Sequence, residues 1–248
     1  MKRISLPFIG LIASVAAIAA TRQTTVVNAT VVPLVRRESA GGSVSLHDTA
    51  RDDEEEARAI ARARLQAGEA GTFIPEILLE RDSALARWQD RPFQPLKVWV
   101  QAAPHIDDWN EDYVDAVASA FRAWDAVELP VRFRVVLDSA DAEVHVTWID
   151  RFNAPISGRT RWSRDDSWWI VNASIVLAVH HQQGEVLDKS AMKAMALHEV
   201  GHLLGLDHTS DPGSIMASKV RVRDLSPIDR ATIRLLYSVR PGPLSLKE

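Results

Sequence analysis

Residues 190–204 read SAMKAMALHEVGHLL, and the continuation to His208 completes the string HEVGHLLGLDH over residues 198–208. The run is rich in Ala, Leu and Met, which favour a helix. Helical positions four apart lie on one face, one turn apart, so His198 and His202 project side by side. Glu199 points in a neighbouring direction. Two imidazoles placed this way can hold one zinc ion while the carboxylate reaches the water that the metal activates. Gly205 is a natural helix terminator that permits positive φ, and a chain reversed there can return His208 to the same metal. Three of the eight histidines fall within these eleven residues. Histidines scattered over a surface or a core would not crowd against a helix stop in this way.

Composition narrows the chemistry further. The 248 residues contain no cysteine, which removes disulfides, thiolate metal sites, cysteine nucleophiles and lipid anchors on cysteine. Any metal must be held by nitrogen and oxygen. Twenty-nine basic against thirty-three acidic residues give a net charge of −4, without the basic excess of a nucleic-acid binder. Hydrophobic residues at 46% are enough for a sizeable core.

HEVGHLLGLDH resembles the zinc motif of the metzincin metallopeptidases. DPGSIM at 211–216 resembles their Met-turn, with Met216 beneath the metal. The likeness is to the matrixin, matrix-metalloprotease-like branch, in a bacterial-type form without a cysteine switch. LSPIDRATIRLLY at 225–237 is similar to the opening of that family's C-terminal helix. PLKVWV, FRAW at 121–124 and ADAEVHV at 140–146 are similar to its first strand, first helix and third strand. The resemblance spans roughly residues 92–240. It implies an α+β, zincin-like catalytic domain: a twisted, mixed sheet of five strands with one antiparallel edge strand, and about three helices. It also implies one catalytic zinc held by His198, His202 and His208, with Glu199 as the base. Met216 would form a soft apolar floor, and Asp229 would tie the C-terminal helix to the Met-turn. A peptide or protein substrate would lie extended along the edge strand as an added strand. Val220 and Val222 would line the pocket beyond the scissile bond, unless residues 217–224 are simply an exposed basic loop. A monomer is expected.

The chain also departs from the animal matrixins. Their structural zinc needs histidines ahead of the edge strand, and residues 150–172 contain none. His145 alternates with Val144 and Val146, which suits a surface-facing strand residue. His180 and His181 fall just past a strand, exposed or lining a cleft. Asp141, Asp150, Asp165 and Asp166 offer oxygen ligands for Ca2+ but lack the spacing of a dedicated loop.

Upstream, residues 1–20 carry Lys2 and Arg3, an apolar stretch and a small-residue end with Ala17 and Ala19. This is the layout of a secretory signal, or of an uncleaved anchor near the lower length limit for spanning. The expected location is therefore exported, with no stable membrane insertion once the signal is removed. Residues 21–90 form a leader and candidate pro-region ahead of a catalytic domain at 91–248. Within it, 21–49 reads as a tether, 51–66 as a helix, and 75–88 as a second helix with Ile77, Leu78, Leu85 and Trp88 at helical spacing. A pro-region would bring a carboxylate such as Glu80 or Asp82 to the metal, whereas an accessory subdomain would stay in place. Strands are expected at 96–100, 131–136, 144–148 and 175–179, with a helix after Asn110.

Zinc-dependent hydrolysis of internal peptide bonds is the leading function. The alternatives are zinc chemistry on a non-peptide bond, or an exported zinc-containing module that binds cell wall or protein. Trp162, Trp168 and Trp169 could line a groove for such a ligand, or pack as a lid.

Overall fold

The computed structural model describes residues 46–244, so the expected export signal at 1–20 and most of the tether lie outside the described residues. All described residues fall in one compact unit. In chain order the elements are α1 (Leu46–Gly68), α2 (Ile74–Glu80), β1 (Ala84–Leu85), β2 (Arg87–Trp88), β3 (Leu96–Val100), α3 (Asp112–Asp125), β4 (Phe133–Val136), β5 (Val144–Ile149), β6 (Gly158–Arg164), β7 (Trp169–Ala178), α4 (Lys189–Leu203), α5 (Pro227–Tyr237) and β8 (Gly242–Pro243). A single 3-10 turn, Ser139–Asp141, precedes β5. None of the described helices is long and apolar enough to cross a membrane.

The main sheet runs β2-β7-β5-β3-β4, with β6 also paired to β7. The β3–β4, β3–β5 and β5–β7 pairings are parallel, while β6 meets β7 antiparallel over Gly158–Arg164. Four of these lie at the expected positions; the antiparallel edge strand implied by the resemblance is β6, which falls inside the stretch 150–172 that the resemblance places ahead of it. A sixth, the two-residue β2, pairs in parallel at Trp169 and Ile170. Helices α3, α4 and α5 supply the three expected of the catalytic domain, and α1 and α2 precede them.

Alternation explains the sheet's two faces. On β3, Leu96, Val98 and Val100 are buried while Lys97 and Trp99 are half-buried. On β5, Val144, Val146 and Trp148 are buried. The helical layer is held together by polar groups as well as by burial. The Trp124 indole of α3 donates to Leu197 O of α4 at 2.9 Å, and the Tyr113 hydroxyl donates to Leu187 O at 2.5 Å. Asp188 caps α4 by accepting from Ala191 N, and α5 opens with a reciprocal capping box between Ser226 and Asp229.

Two local expectations change. The helix expected over 75–88 stops at Glu80, because Asp82 and Ser83 take positive φ of 50° and 61°. Leu85 and Trp88 instead enter short strands, where they are nonetheless buried. The last sheet strand begins at Trp169, six residues earlier than the apolar run suggested, because its first half has β6 as a partner.

Candidate metal centre

Helix α4 holds His198 and His202 one turn apart. It ends at Leu203, and Gly205 at φ 105° reverses the chain and returns His208. A side chain at Gly205 would collide with the carbonyl oxygen of Ala86, so both the backbone angle and the space call for glycine. The three Nε2 atoms converge: His198 to His202 is 3.0 Å, and His208 is 3.3 Å from each. Among the described residues, these histidines are the one group of three or more metal-binding side chains whose ligand atoms come together.

The hydrogen bonds behind the rings fix their chemistry. Nδ1 of His198 lies 2.7 Å from Ile215 O, and Nδ1 of His202 lies 2.9 Å from Leu206 O. A carbonyl only accepts, so each Nδ1 carries the proton, and in a neutral ring Nε2 is left as a bare lone pair. Burial pushes the His198 imidazole down to about 3, with His202 adding to the effect, and burial pushes His202 down to about 4. Both rings are therefore neutral, and no proton lies between their facing Nε2 atoms. Converging lone pairs of this kind suit a cation. Three nitrogen donors of a tetrahedral zinc at about 2.0–2.1 Å stand roughly 3.3 Å apart, so the donor set fits that ion in type and spacing.

The residues packed around α4 and the loop after it are equally defined. Met216 is fully buried, and a side chain at Gly201 would collide with its sulfur. Asp229 is fully buried. It accepts from the Ser214 hydroxyl, from Ile215 N at 3.1 Å, and from Ser226 N and Oγ at 2.8 and 2.6 Å. The residue whose amide it holds, Ile215, is the one whose carbonyl holds His198. Val220 and Val222 are half-buried against the core, alternating with exposed Lys219, Arg221 and Arg223.

Glu199 is buried beside β6. Its Oε2 accepts from the Thr160 hydroxyl at 2.6 Å, and a side chain at Gly158 would overlap its carboxylate. Burial pushes the Glu199 carboxyl up to about 7 against the lowering effect of the Thr160 hydrogen bond. Neither Gly158 nor Thr160 stands out in the sequence, since GRTRWSR is polar throughout and no local pattern marks it as the strand facing α4.

Other candidates lie apart from this group. His145 is half-buried on β5, with Nε2 3.0 Å from Ser139 O. His180 is buried, with Nε2 3.1 Å from Asp108 and Nδ1 2.7 Å from Asp150. His181 meets Ser157 Oγ at 2.9 Å. Asp150 also pairs with Arg151, and Asp165 accepts from Ser167 N and Trp169 N in a tight turn. The three tryptophans do not share an open groove. An arginine covers each one: Arg81 over Trp162 at 5.1 Å, Arg164 over Trp168 at 3.6 Å, and Arg87 over Trp169 at 4.8 Å. Neither Glu80 nor Asp82 belongs to the converging metal-binding group.

Comparison with known proteins agrees with this arrangement. The chain is 25% identical over 178 residues to Metalloendoproteinase 1 of Glycine max, covering 63% of this chain and 54% of the relative. It is 26% identical over 156 residues to Metalloendoproteinase 1-MMP of Arabidopsis thaliana, covering 53% and 40%. A 52-residue stretch is 48% identical to Matrilysin of Felis catus, covering 19% and 20%. The chain thus spans about half or less of the length of these curated relatives. The matrixin family model matches residues 97–238, more than half of the chain and all of the histidine cluster. The chain belongs to the matrixin family, peptidase family M10.

Proposed function

We propose that this protein is a zinc-dependent endopeptidase that cleaves internal bonds of extended polypeptides. The observation that carries the reading is the convergence of three imidazole nitrogens beside a buried carboxylate held by a hydroxyl. His198, His202 and His208 would hold the metal through Nε2. Zinc, when bound, acts as a Lewis acid that polarises a carbonyl and activates water.

The protein's own contribution is orientation and proton transfer. Carbonyls of Ile215 and Leu206 hold two rings at Nδ1 and so keep Nε2 available. The Glu199 carboxylate accepts a proton from the attacking water and returns it to the leaving amine. The Thr160 hydroxyl anchors Oε2 during that exchange, and Gly158 leaves the space that the carboxylate occupies. Strand β6 pairs with β7 on one side, and among the described residues no strand covers its other side. An extended peptide can add there through main-chain hydrogen bonds. Val220 and Val222 would supply apolar lining for the residue beyond the scissile bond. Trp162, Trp168 and Trp169 line no common groove and each carries an arginine over its ring, which favours the peptidase reading over a module that binds cell wall or protein through them.

The test combines metal content with cleavage of a peptide library. Glu199→Gln should keep zinc and the fold and lose nearly all turnover, on the order of 10²-fold or more. His202→Ala should lower zinc content. Near-normal hydrolysis by the Glu199→Gln chain would exclude Glu199 as the base. Wild-type chain with bound zinc and no peptide cleavage would favour a binding module or chemistry on another bond.

A further inference from the structure

Residues 73–88 lie ahead of the matrixin match, yet their polar contacts gather on the loop that carries His208. We propose that this segment is a permanent clamp that positions the third ligand, and not a removable inhibitory pro-region. The inference rests on the reading of His198, His202 and His208 as zinc ligands.

His208 needs support from outside its own helix. His198 and His202 sit on α4, but His208 stands beyond the Gly205 reversal and is the exposed member of the three. Contacts from α2 and the turn after it hold its neighbours on both sides. Upstream, Arg81 forms an ion pair with Asp207 and donates to Gly205 O at 3.1 Å. Downstream, Glu76 accepts from Thr209 Oγ1 at 2.9 Å and from Ser210 N at 2.7 Å. Positions 207, 209 and 210 are thus tied to one short stretch, with the ligand between them.

The same stretch closes the end of the metal helix. The Trp88 indole donates to Leu203 O at 2.8 Å, which satisfies a carbonyl in the last turn of α4. The Ala86 carbonyl packs against Gly205 so closely that no side chain would fit between them. Arg81 also lies over the Trp162 ring, joining the edge strand β6 to the His208 loop.

Removal is the wrong fate for this segment. Phe73 and Ile74 are 1% exposed, and Ile77, Leu85 and Ala86 are fully buried in the common core. Excision would open that core and leave Asp207, Gly205 and Ser210 without these partners. An inhibitory segment would place a side chain among the metal-binding atoms, whereas Glu76 and Arg81 bind the loop beside them.

The experiment uses the full chain and single variants Glu76→Gln and Arg81→Gln, with zinc itself as the probe. Zinc should be lost to a competing chelator about 10- to 100-fold more readily in each variant. Arg81→Lys, which keeps the charge toward Asp207 and loses the planar fork, should fall between wild type and Arg81→Gln. In the metal-free chains, amide exchange at residues 207–210 should quicken in both Gln variants while the core strands stay protected. Wild-type zinc retention in both variants would overturn the clamp. So would a rise in peptidase rate with zinc retained, since that is the signature of relieved inhibition. A wild-type chain that binds no zinc would overturn the ligand reading instead. Amide exchange in the metal-free variants would still report directly on the clamp.

Discussion

Two carboxylates support the chain around the histidines, in opposite surroundings. Asp229, on α5, has no exposure to solvent and accepts from two hydroxyls and two backbone amides. Glu76, on α2, is half-buried and accepts from one hydroxyl and one amide. Asp229 reaches Ser214, fifteen positions away, and through Ile215 steadies His198. Glu76 reaches across more than 130 positions to the residues beside His208. The dry anchor is costly to break because its orphaned donors find no water. The wetter anchor contributes less to global stability, and its effect lies in the order of one loop.

This contrast can be broken at three points. The largest effect is expected for Asp229→Ala, about 3–5 kcal/mol of unfolding free energy in the zinc-free chain, because four donors lose their acceptor in a sealed site. Urea unfolding of Asp229→Ala beside Glu76→Gln measures the difference directly, and equal losses would remove the distinction drawn from burial. Next comes Ile77→Ala, which empties a fully buried position in α2. It should cost about 2–4 kcal/mol if residues 73–88 share the hydrophobic core of the sheet and its helices. A loss below roughly 0.5 kcal/mol, the range of a surface substitution, would detach the segment from that core.

The smallest effect concerns Glu143, a third carboxylate that accepts from backbone. It takes a hydrogen bond from Lys97 N at 3.1 Å and pairs with Arg91 at 2.7 Å. Burial raises its pKa, but the Arg91 and Lys97 hydrogen bonds outweigh burial and hold it below the ordinary 4.5. Its folded value is lower than its unfolded one, so its stabilisation is complete above the unfolded value. It drains away as pH falls through the folded value. Stability measured from pH 6 to pH 3 should therefore fall less steeply for Glu143→Gln than for wild type, by under about 1 kcal/mol given the partial exposure of the pair. A steeper fall in the variant would reverse the sign assigned to Glu143.

Legibility followed the range of the contacts. The alternation at Leu96, Val98 and Val100 and the His198–His202 spacing are periodicities of a single element, so they read directly as strand and helix. Gly205 reads as a stop because one residue carries both the positive φ and the helix end. Strand β6 does not read as a strand: its inward positions are Gly158, Thr160 and Trp162, and the first two meet the Glu199 carboxylate, so no apolar alternation marks it. The end of α2 does not read, because Leu85 and Trp88 keep apolar spacing through a turn made by Asp82 and Ser83.

The same division holds for function. HEVGHLLGLDH encodes a local geometry, and backbone hydrogen bonding within one helix and one reversal is enough to bring its three imidazoles toward a common point. Thr160 on Glu199, Asp229 behind Ile215, and Glu76 and Arg81 around His208 join residues 14 to 134 positions apart. No spacing encodes those pairings. They exist because the parallel sheet and its helical layer bury enough apolar surface to hold distant segments at hydrogen-bond distance, and that burial comes from the folded chain as a whole.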